Sequence, residues 1–182
     1  MSIIHFETKL FTIGSWTILK LPQSASVKLP SRGQVMVKGT LNGHDFQTAL
    51  EPDGNESHWF KVDDSLRKAT HTAAGDTVTL ALESTKKWPE PPIPADWKTA
   101  LANPDIHALW MRITPLARWE WLRWIGSTSQ SETRKRRIEV ACSKLVAGER
   151  RPCCFNRNMC CVPQVSKNGV LLEPGQTRAV EA

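Results

Sequence analysis

The first half of the chain alternates apolar and polar positions with the period of two that turns one face of a strand inward. His5–Phe11 and Ser15–Leu21 are short apolar and Thr-rich runs split by Gly14. Pro22, Pro30 and the Ser31-Arg32-Gly33 turn punctuate the connection that follows. Val35–Leu41 alternates with Val35, Val37 and Leu41 on one side, and His44–Leu50 resumes through Phe46 and Thr48. Between these two runs stands Asn42-Gly43. A type I′ turn needs positive φ at both central residues, which Asn and Gly tolerate, so a hairpin is expected here. Pro52-Asp53-Gly54-Asn55 predicts a second turn. A strand over His58–Val62 comes next, then a helical turn over Ser65–Ala69. A strand over Thr77–Glu83 follows, with Val78, Leu80 and Leu82 on one face. Six or so short strands at hairpin spacing predict a small barrel or sandwich.

The pattern then breaks. Trp88-Pro89-Glu90-Pro91-Pro92-Ile93-Pro94 carries four prolines and cannot lie inside a sheet or helix, so it reads as an extended connector. Beyond it the period becomes helical. Asp96–Leu101 predicts a short helix. Asn103-Pro104 and Thr114-Pro115 each supply a capping side chain followed by proline at the first helical position. The helix from Pro115 is expected to end near Ile125 at Gly126. A last helix, capped by Ser129 or Ser131, is expected to run to about Val146 and stop at Gly148. In it Ile138, Ala141, Cys142, Leu145 and Val146 make an apolar stripe, which places Cys142 in a core. After Arg151 the pattern is lost, and the remainder reads as an extended tail able to wrap the domain.

Charge changes the picture at one place. Between Arg112 and Arg151 lie ten basic residues and four acidic ones, a surplus that equals the formal net charge of +6 for the whole chain. Any attraction for anions should reside there, with Arg136, Arg137, Arg150 and Arg151 as candidate anion-binding residues. Consecutive helical residues point about 100° apart, so within the run Arg134–Arg137 only Arg134 and Arg137 share a face. Arg134 borders the apolar stripe, where an acid such as Asp76 or Glu83 could hold it. Of the eight Trp, five fall between Trp88 and Trp121, and the chain has no Tyr. Trp59, Trp110, Trp119 and Arg134 are the candidate walls of a pocket between the barrel and the helices.

Four of the five Cys crowd into the tail as Cys153-Cys154 and Cys160-Cys161. Neighbouring arginines favour the thiolate, so these are candidates for reactive thiols or zinc, although adjacent Cys chelate less well than the spaced pairs of zinc sites. The odd Cys count fits a reducing compartment better than a disulfide scaffold. The five His are dispersed without metal-ligand spacing, and no HExxH, G-x-S-x-G or P-loop occurs. His58, beside Trp59, is the one His worth testing, and it reads as an exposed strand residue. No segment has the roughly 20 apolar residues of a membrane span, and no charged leader precedes a long apolar run, so a cytoplasmic location is expected.

These residues also resemble known families. Trp16, Leu21-Pro22, Ser31-Arg32-Gly33, Gly39-Thr40-Leu41-Asn42-Gly43, Leu50-Glu51-Pro52-Asp53-Gly54 and Ala74-Gly75-Asp76-Thr77-Val78 are similar to a bacterial domain family of unknown function. That resemblance implies a small β-barrel of the double-split type, a fold class also used by swapped-hairpin transcription regulators. From Pro94 onwards the chain resembles the helical part of the YdeI/OmpD-associated, or bacteriocin-protection, family. The matching residues are Ala100-Leu101, Thr114-Pro115, Ala117-Arg118, Trp124-Ile125, Glu132-Thr133-Arg134 and Arg137-Ile138. The tail run Arg150-Arg151-Pro152-Cys153-Cys154-Phe155-Asn156, with Val162-Pro163 and Ser166–Gly169, is similar to the tail of one branch of that family. The resemblance implies protection against antimicrobial peptides or envelope stress, with no catalytic residue to carry over.

The expected architecture is α+β, with a double-split β-barrel over residues 1–87 and a connector over 88–94. A helical segment follows over 95–148, then a Cys-containing tail over 149–182. The expected function is non-enzymatic binding of a small molecule or peptide in stress or protection. A basic nucleic-acid-associated regulator and a thiol- or metal-dependent protein are the alternatives. No cofactor is expected, with zinc on the tail cysteines as the exception considered.

Overall fold

A computed structural model describes residues 2–128, 130–152, 163–166 and 168–176. The chain is α+β and divides into two compact units. One comprises residues 1–87 with 163–182, and the other residues 88–162.

The first unit is a curled antiparallel sheet. Its strands are β1 (Ile4–Lys9), β2 (Phe11–Ile13), β3 (Trp16–Lys20), β4 (Val35–Leu41), β5 (His44–Pro52), β6 (His58–Lys61) and β7 (Thr77–Ser84). Two short helices, α1 (Gln23–Ser26) and α2 (Asp64–Thr70), interrupt them. Across the sheet the order is β1-β7-β4-β5-β6-β3-β2. The strands at the two ends of that order, β1 and β2, are halves of one run broken at Leu10. The Leu10 N–H donates to the Asp76 carbonyl at 2.9 Å. One strand therefore serves both edges, and the sheet must curl for it to do so. The Thr8 hydroxyl donates to the Lys20 carbonyl at 3.0 Å across the same gap. Leu10, Leu19, Val37, Leu41, Leu50 and Leu80 form the centre of the core, each without solvent exposure.

The expected hairpin forms at Asn42 and Gly43, with φ of 48° and 83°, and pairs Leu41 with His44 through to Val35 with Leu50. Gly39 is fixed by a close approach: a Cβ there would lie 2.0 Å from the Ala81 carbonyl oxygen on β7. Part of the tail belongs to this unit. Val165 and Leu171 bridge one another and are buried, and the Leu171 N–H donates to the Asp53 carbonyl at 2.9 Å.

The second unit contains α3 (Ala95–Ala100), α4 (Pro104–Arg112), α5 (Pro115–Gly126) and α6 (Ser131–Val146). Asn103 and Thr114 cap α4 and α5 through their side chains as the sequence predicts. For α6 the expectation fails. Gln130 holds the N-cap position without a side-chain cap, and Ser131 is already helical. Ser129 lies outside the described residues. The core consists of Trp97, Trp110, Trp121, Ile125, Ala141 and Leu145, with Trp97 set edge-on to Trp110 at 5.1 Å. Ile138 and Cys142 pack against this cluster, and burial raises the Cys142 thiol pKa. The predicted stripe ends one residue early: Val146, at the last turn of α6, is 65% exposed.

The proline connector packs on α5. The Trp119 indole donates to the Pro89 carbonyl at 2.8 Å, and Trp88 meets Trp119 edge-on at 6.1 Å.

Candidate functional site

β5 shapes the open surface of the sheet unit. Two grooves share Asp45, Phe46 and Gln47. One, of about 480 Å³, opens over the outer face of β4, β5 and β7 beside Lys38, Thr40 and Glu83. The other, of about 430 Å³, runs between β5 and α2, with Phe60 and Leu66 supplying apolar surface. Phe46 stacks on Phe60 at 5.5 Å and packs against the core, so the ridge between the grooves is anchored. Lys38 pairs with Glu83 at 3.0 Å on the first groove's wall. At the second, Asp63 caps α2 by accepting from the Leu66 N–H at 2.8 Å, and that bond holds its carboxyl below the usual carboxylate range.

A polar cluster lies behind the turn at residues 52–57. Asp53, 1% exposed, accepts from the Asn55 and Ser57 N–H groups at 2.8 and 2.7 Å and pairs with Lys20 at 3.1 Å. His58 is 1% exposed, which overturns its reading as an exposed strand residue. Its Nδ1 lies 2.6 Å from the Ser26 hydroxyl and its Nε2 lies 2.8 Å from the Gly33 carbonyl. A carbonyl can only accept, so Nε2 carries the proton and Nδ1 accepts from Ser26. Burial is the largest influence on the imidazole and lowers its pKa, which favours this neutral form. A Ser–His contact of this kind resembles an activated nucleophile, but Ser26 is only 3% exposed. The pair joins α1, β6 and the Gly33 turn and offers no open face for a substrate.

The other singled-out residues fall into place individually. Trp59, in the sheet unit, is 2% exposed and donates to the Pro52 carbonyl at 3.2 Å. Trp110 is 2% exposed within the helical core, whereas Trp119 is half-buried against the connector. Arg134 is indeed held by an acid, but the acid is Asp96 rather than Asp76 or Glu83. Its Nη2 donates to Asp96 at 2.9 Å, and its Nε donates to the other carboxylate oxygen. This contact lowers the Asp96 pKa and raises that of Arg134. Arg137 donates to the Trp124 carbonyl and the Ser127 hydroxyl at 2.7 and 2.6 Å, and its guanidinium lies over the Trp124 ring. Arg151 pairs with Glu120 at 3.1 Å, while Arg136 and Arg150 are exposed. Cys153, Cys154, Cys160 and Cys161 lie outside the described residues. Among the described residues, no three His, Cys, Asp or Glu are grouped to hold a metal ion.

Sequence reasoning missed Arg118. It is 4% exposed and donates to three carbonyls, those of Trp110, Met111 and Ile113, at 3.0, 2.9 and 3.0 Å, and also to Glu90. It thereby satisfies the carbonyl end of α4, where helices leave acceptors unpaired. Its place in the Ala117-Arg118 motif was the available signal.

The geometry defines a two-part α+β protein: a curled sheet with open grooves, and a helical unit with a Trp core. Comparison with known families agrees with this division. Residues 3–82 match the Domain of unknown function (DUF1905), and residues 90–148 match Bacteriocin-protection, YdeI or OmpD-Associated. The chain carries a match to each of these two families in tandem. A comparison with curated proteins finds no match. Among the described residues no helix is long and apolar enough to cross a membrane.

Proposed function

We propose that this chain is a non-enzymatic binding factor with a protective role, and that its ligand contacts the grooves flanking β5. The observation that carries this reading is the pair of grooves meeting at Asp45, Phe46 and Gln47, which sets an anchored aromatic ridge between polar walls. Concave, partly apolar surface with a few polar groups is where ligands bind. Trp59 and Trp110 show almost none of their surface, so the reading rests on β5 rather than on a Trp-walled pocket. The family description of bacteriocin protection agrees with a peptide as the ligand class. The same proposal takes the curled sheet as a small barrel of the double-split type and the protein as cytoplasmic.

The test is amide chemical-shift mapping of the full chain against a panel of short peptides and metabolites. The expected result is a set of shifts clustered at residues 45–48 and extending to 38–40 and 81–83 or to 60–69. Shifts confined to other regions, or none at millimolar ligand, would sink the proposal.

The nucleic-acid alternative has less support. Of its four arginines, Arg137 is bonded to the end of α5 and Arg151 is paired with Glu120. Binding through phosphates must weaken steeply with salt, so failure to retard DNA or RNA at low salt excludes it. For the thiol or metal alternative, elemental analysis of the protein with and without the four tail cysteines decides.

A further inference from the structure

The hairpin dictates where the backbone groups of β5 point. The two-residue turn makes Leu41 and His44 a hydrogen-bonded pair, as are Gly39 with Phe46, Val37 with Thr48, and Val35 with Leu50. The intervening residues Asp45, Gln47 and Ala49 therefore aim their N–H and C=O groups away from β4. On that side β6 pairs with β5 only at Glu51 and Pro52, opposite Trp59 and His58, before the two strands part. Asp45, Gln47 and Ala49 thus have no strand partner among the described residues. The part of this free edge at Asp45 and Gln47 forms one wall of the 430 Å³ groove, and Ser65, Leu66 and Ala69 of α2 form the other. An unpaired strand edge is a template for another strand. A groove between such an edge and a helix suits an extended peptide, held by main-chain bonds and selected through its alternate side chains.

The charged groups at this groove are Asp45, Asp63 and Lys61. The Lys61 ammonium lies over the Trp16 ring, 4.9 Å from its centre. The capping bond keeps Asp63 ionised, and Asp45 is exposed. Two carboxylates therefore line the groove against one cation, which leaves its wall net negative.

We propose that this groove binds an extended, positively charged peptide of another protein as an added strand, bonded to the main chain of β5 at Asp45 and Gln47. The proposal rests on reading the β5 grooves as the binding surface and adds the partner and the mode. At about 3.3 Å per residue the free edge accommodates roughly five peptide residues, whose inward side chains meet Phe46, Phe60 and Leu66.

The probe is a capped Lys-Val-Lys-Val-Lys-Val hexapeptide, titrated against the full chain by amide NMR and hydrogen exchange. Binding should slow exchange of the Asp45 and Gln47 amides. N-methylation of one alternating set of residues should weaken binding about tenfold or more, the equivalent of one or two main-chain bonds, while methylation of the other set is tolerated. Gln47→Pro should weaken it comparably, because the Gln47 N–H makes no bond to β4 and proline is tolerated on an edge. If that variant does not fold, the methylated peptides give the same answer. A capped Glu-Val-Glu-Val-Glu-Val peptide should not bind.

Equal binding of both methylated peptides overturns strand addition, and equal binding of the glutamate peptide overturns the charge preference. Edge amides already protected without peptide, in proportion to protein concentration, would assign the edge to a second copy and overturn the proposal. If other ligands shift the groove residues without protecting Asp45 and Gln47, strand addition fails alone. If nothing reaches the groove, the underlying reading fails with it.

Discussion

At the scale of single residues, the buried polar side chains have the most specific consequences. His58 connects a hydroxyl and a carbonyl from two separate segments, and its truncation strands both. His58→Ala should cost about 2–4 kcal/mol, since each buried group left unpaired costs roughly 1–3 kcal/mol. Denaturant midpoints would measure this. The same residue makes stability depend on pH. Its folded pKa lies below the ordinary 6.5, so between the two values the unfolded chain binds more protons than the folded one. Stability from the neutral imidazole is therefore full above about pH 6.5 and is lost as pH falls towards the folded pKa. Asp63 and Asp96 also have lowered pKa values. Their contributions fade only below the ordinary carboxylate value of 3.8, so the two windows separate. Midpoints measured from pH 7.5 to 5 should fall in the wild type, and the fall should flatten in His58→Ala. An unchanged slope would show that His58 titrates normally. Arg118 makes a parallel case. Its planar fork reaches three carbonyls at once, and a lysine ammonium cannot reproduce that span. Arg118→Lys should destabilise the helical unit by about 2–4 kcal/mol, read from the near-ultraviolet signal of the Trp core.

At the scale of elements, Gly39 decides whether β4 can lie against β7. A Cβ would meet the Ala81 carbonyl oxygen at 2.0 Å and the Leu82 Cα at 2.7 Å, both backbone atoms that cannot rotate aside. Gly39→Ala should therefore disrupt the central pairing and leave the sheet unit unfolded or expanded, whereas Gly43→Ala meets no atom within 4 Å and is strained only by its φ of 83°. Circular dichroism melts of the two variants would separate the effects. The contrast also shows which elements could be read from the sequence. Local chemistry announced the Asn42-Gly43 turn and the starts of α4 and α5, because a positive φ or a capping oxygen is satisfied within a few residues. The short helix α1 gave no such signal, having only Pro22 at its cap and no side-chain bond there. His58 looked exposed because Ser26 and Gly33, which bury it, lie 32 and 25 positions away. The acid that holds Arg134 was misassigned for the same reason, since Asp96 lies 38 positions distant. The β5 groove was the least legible feature. The alternation of residues 44–50 predicts a strand, but whether its far edge is paired depends on where β6 turns away.

At the scale of the whole molecule, the sheet unit is built from both ends of the described chain, with residues 88–162 forming the other unit. The returning segment is well fitted. Val165 and Leu171 are 3% and 4% exposed, and the Leu172 N–H donates to the Gln164 carbonyl at 3.0 Å. Gly54, with φ of 74°, lies so close to Gly169 that a Cβ would fall 2.6 Å from its carbonyl oxygen. Burying two aliphatic side chains of this size is worth about 3–6 kcal/mol at roughly 1.5–3 kcal/mol each, a large part of the 5–15 kcal/mol typical of a domain. Truncation after residue 162 should therefore weaken the sheet unit and spare the helices. Hydrogen exchange would resolve the two: protection should drop around residues 16–20 and 50–59, near the Asp53 turn, and persist over 104–112 and 131–145. Gly54→Ala should reproduce the same local loss in the full-length chain, because it forces the turn away from Gly169 without removing a residue of the tail. A uniform loss of protection across both units would instead mean that they unfold as one, and that the segment after residue 162 stabilises the whole chain rather than the sheet alone.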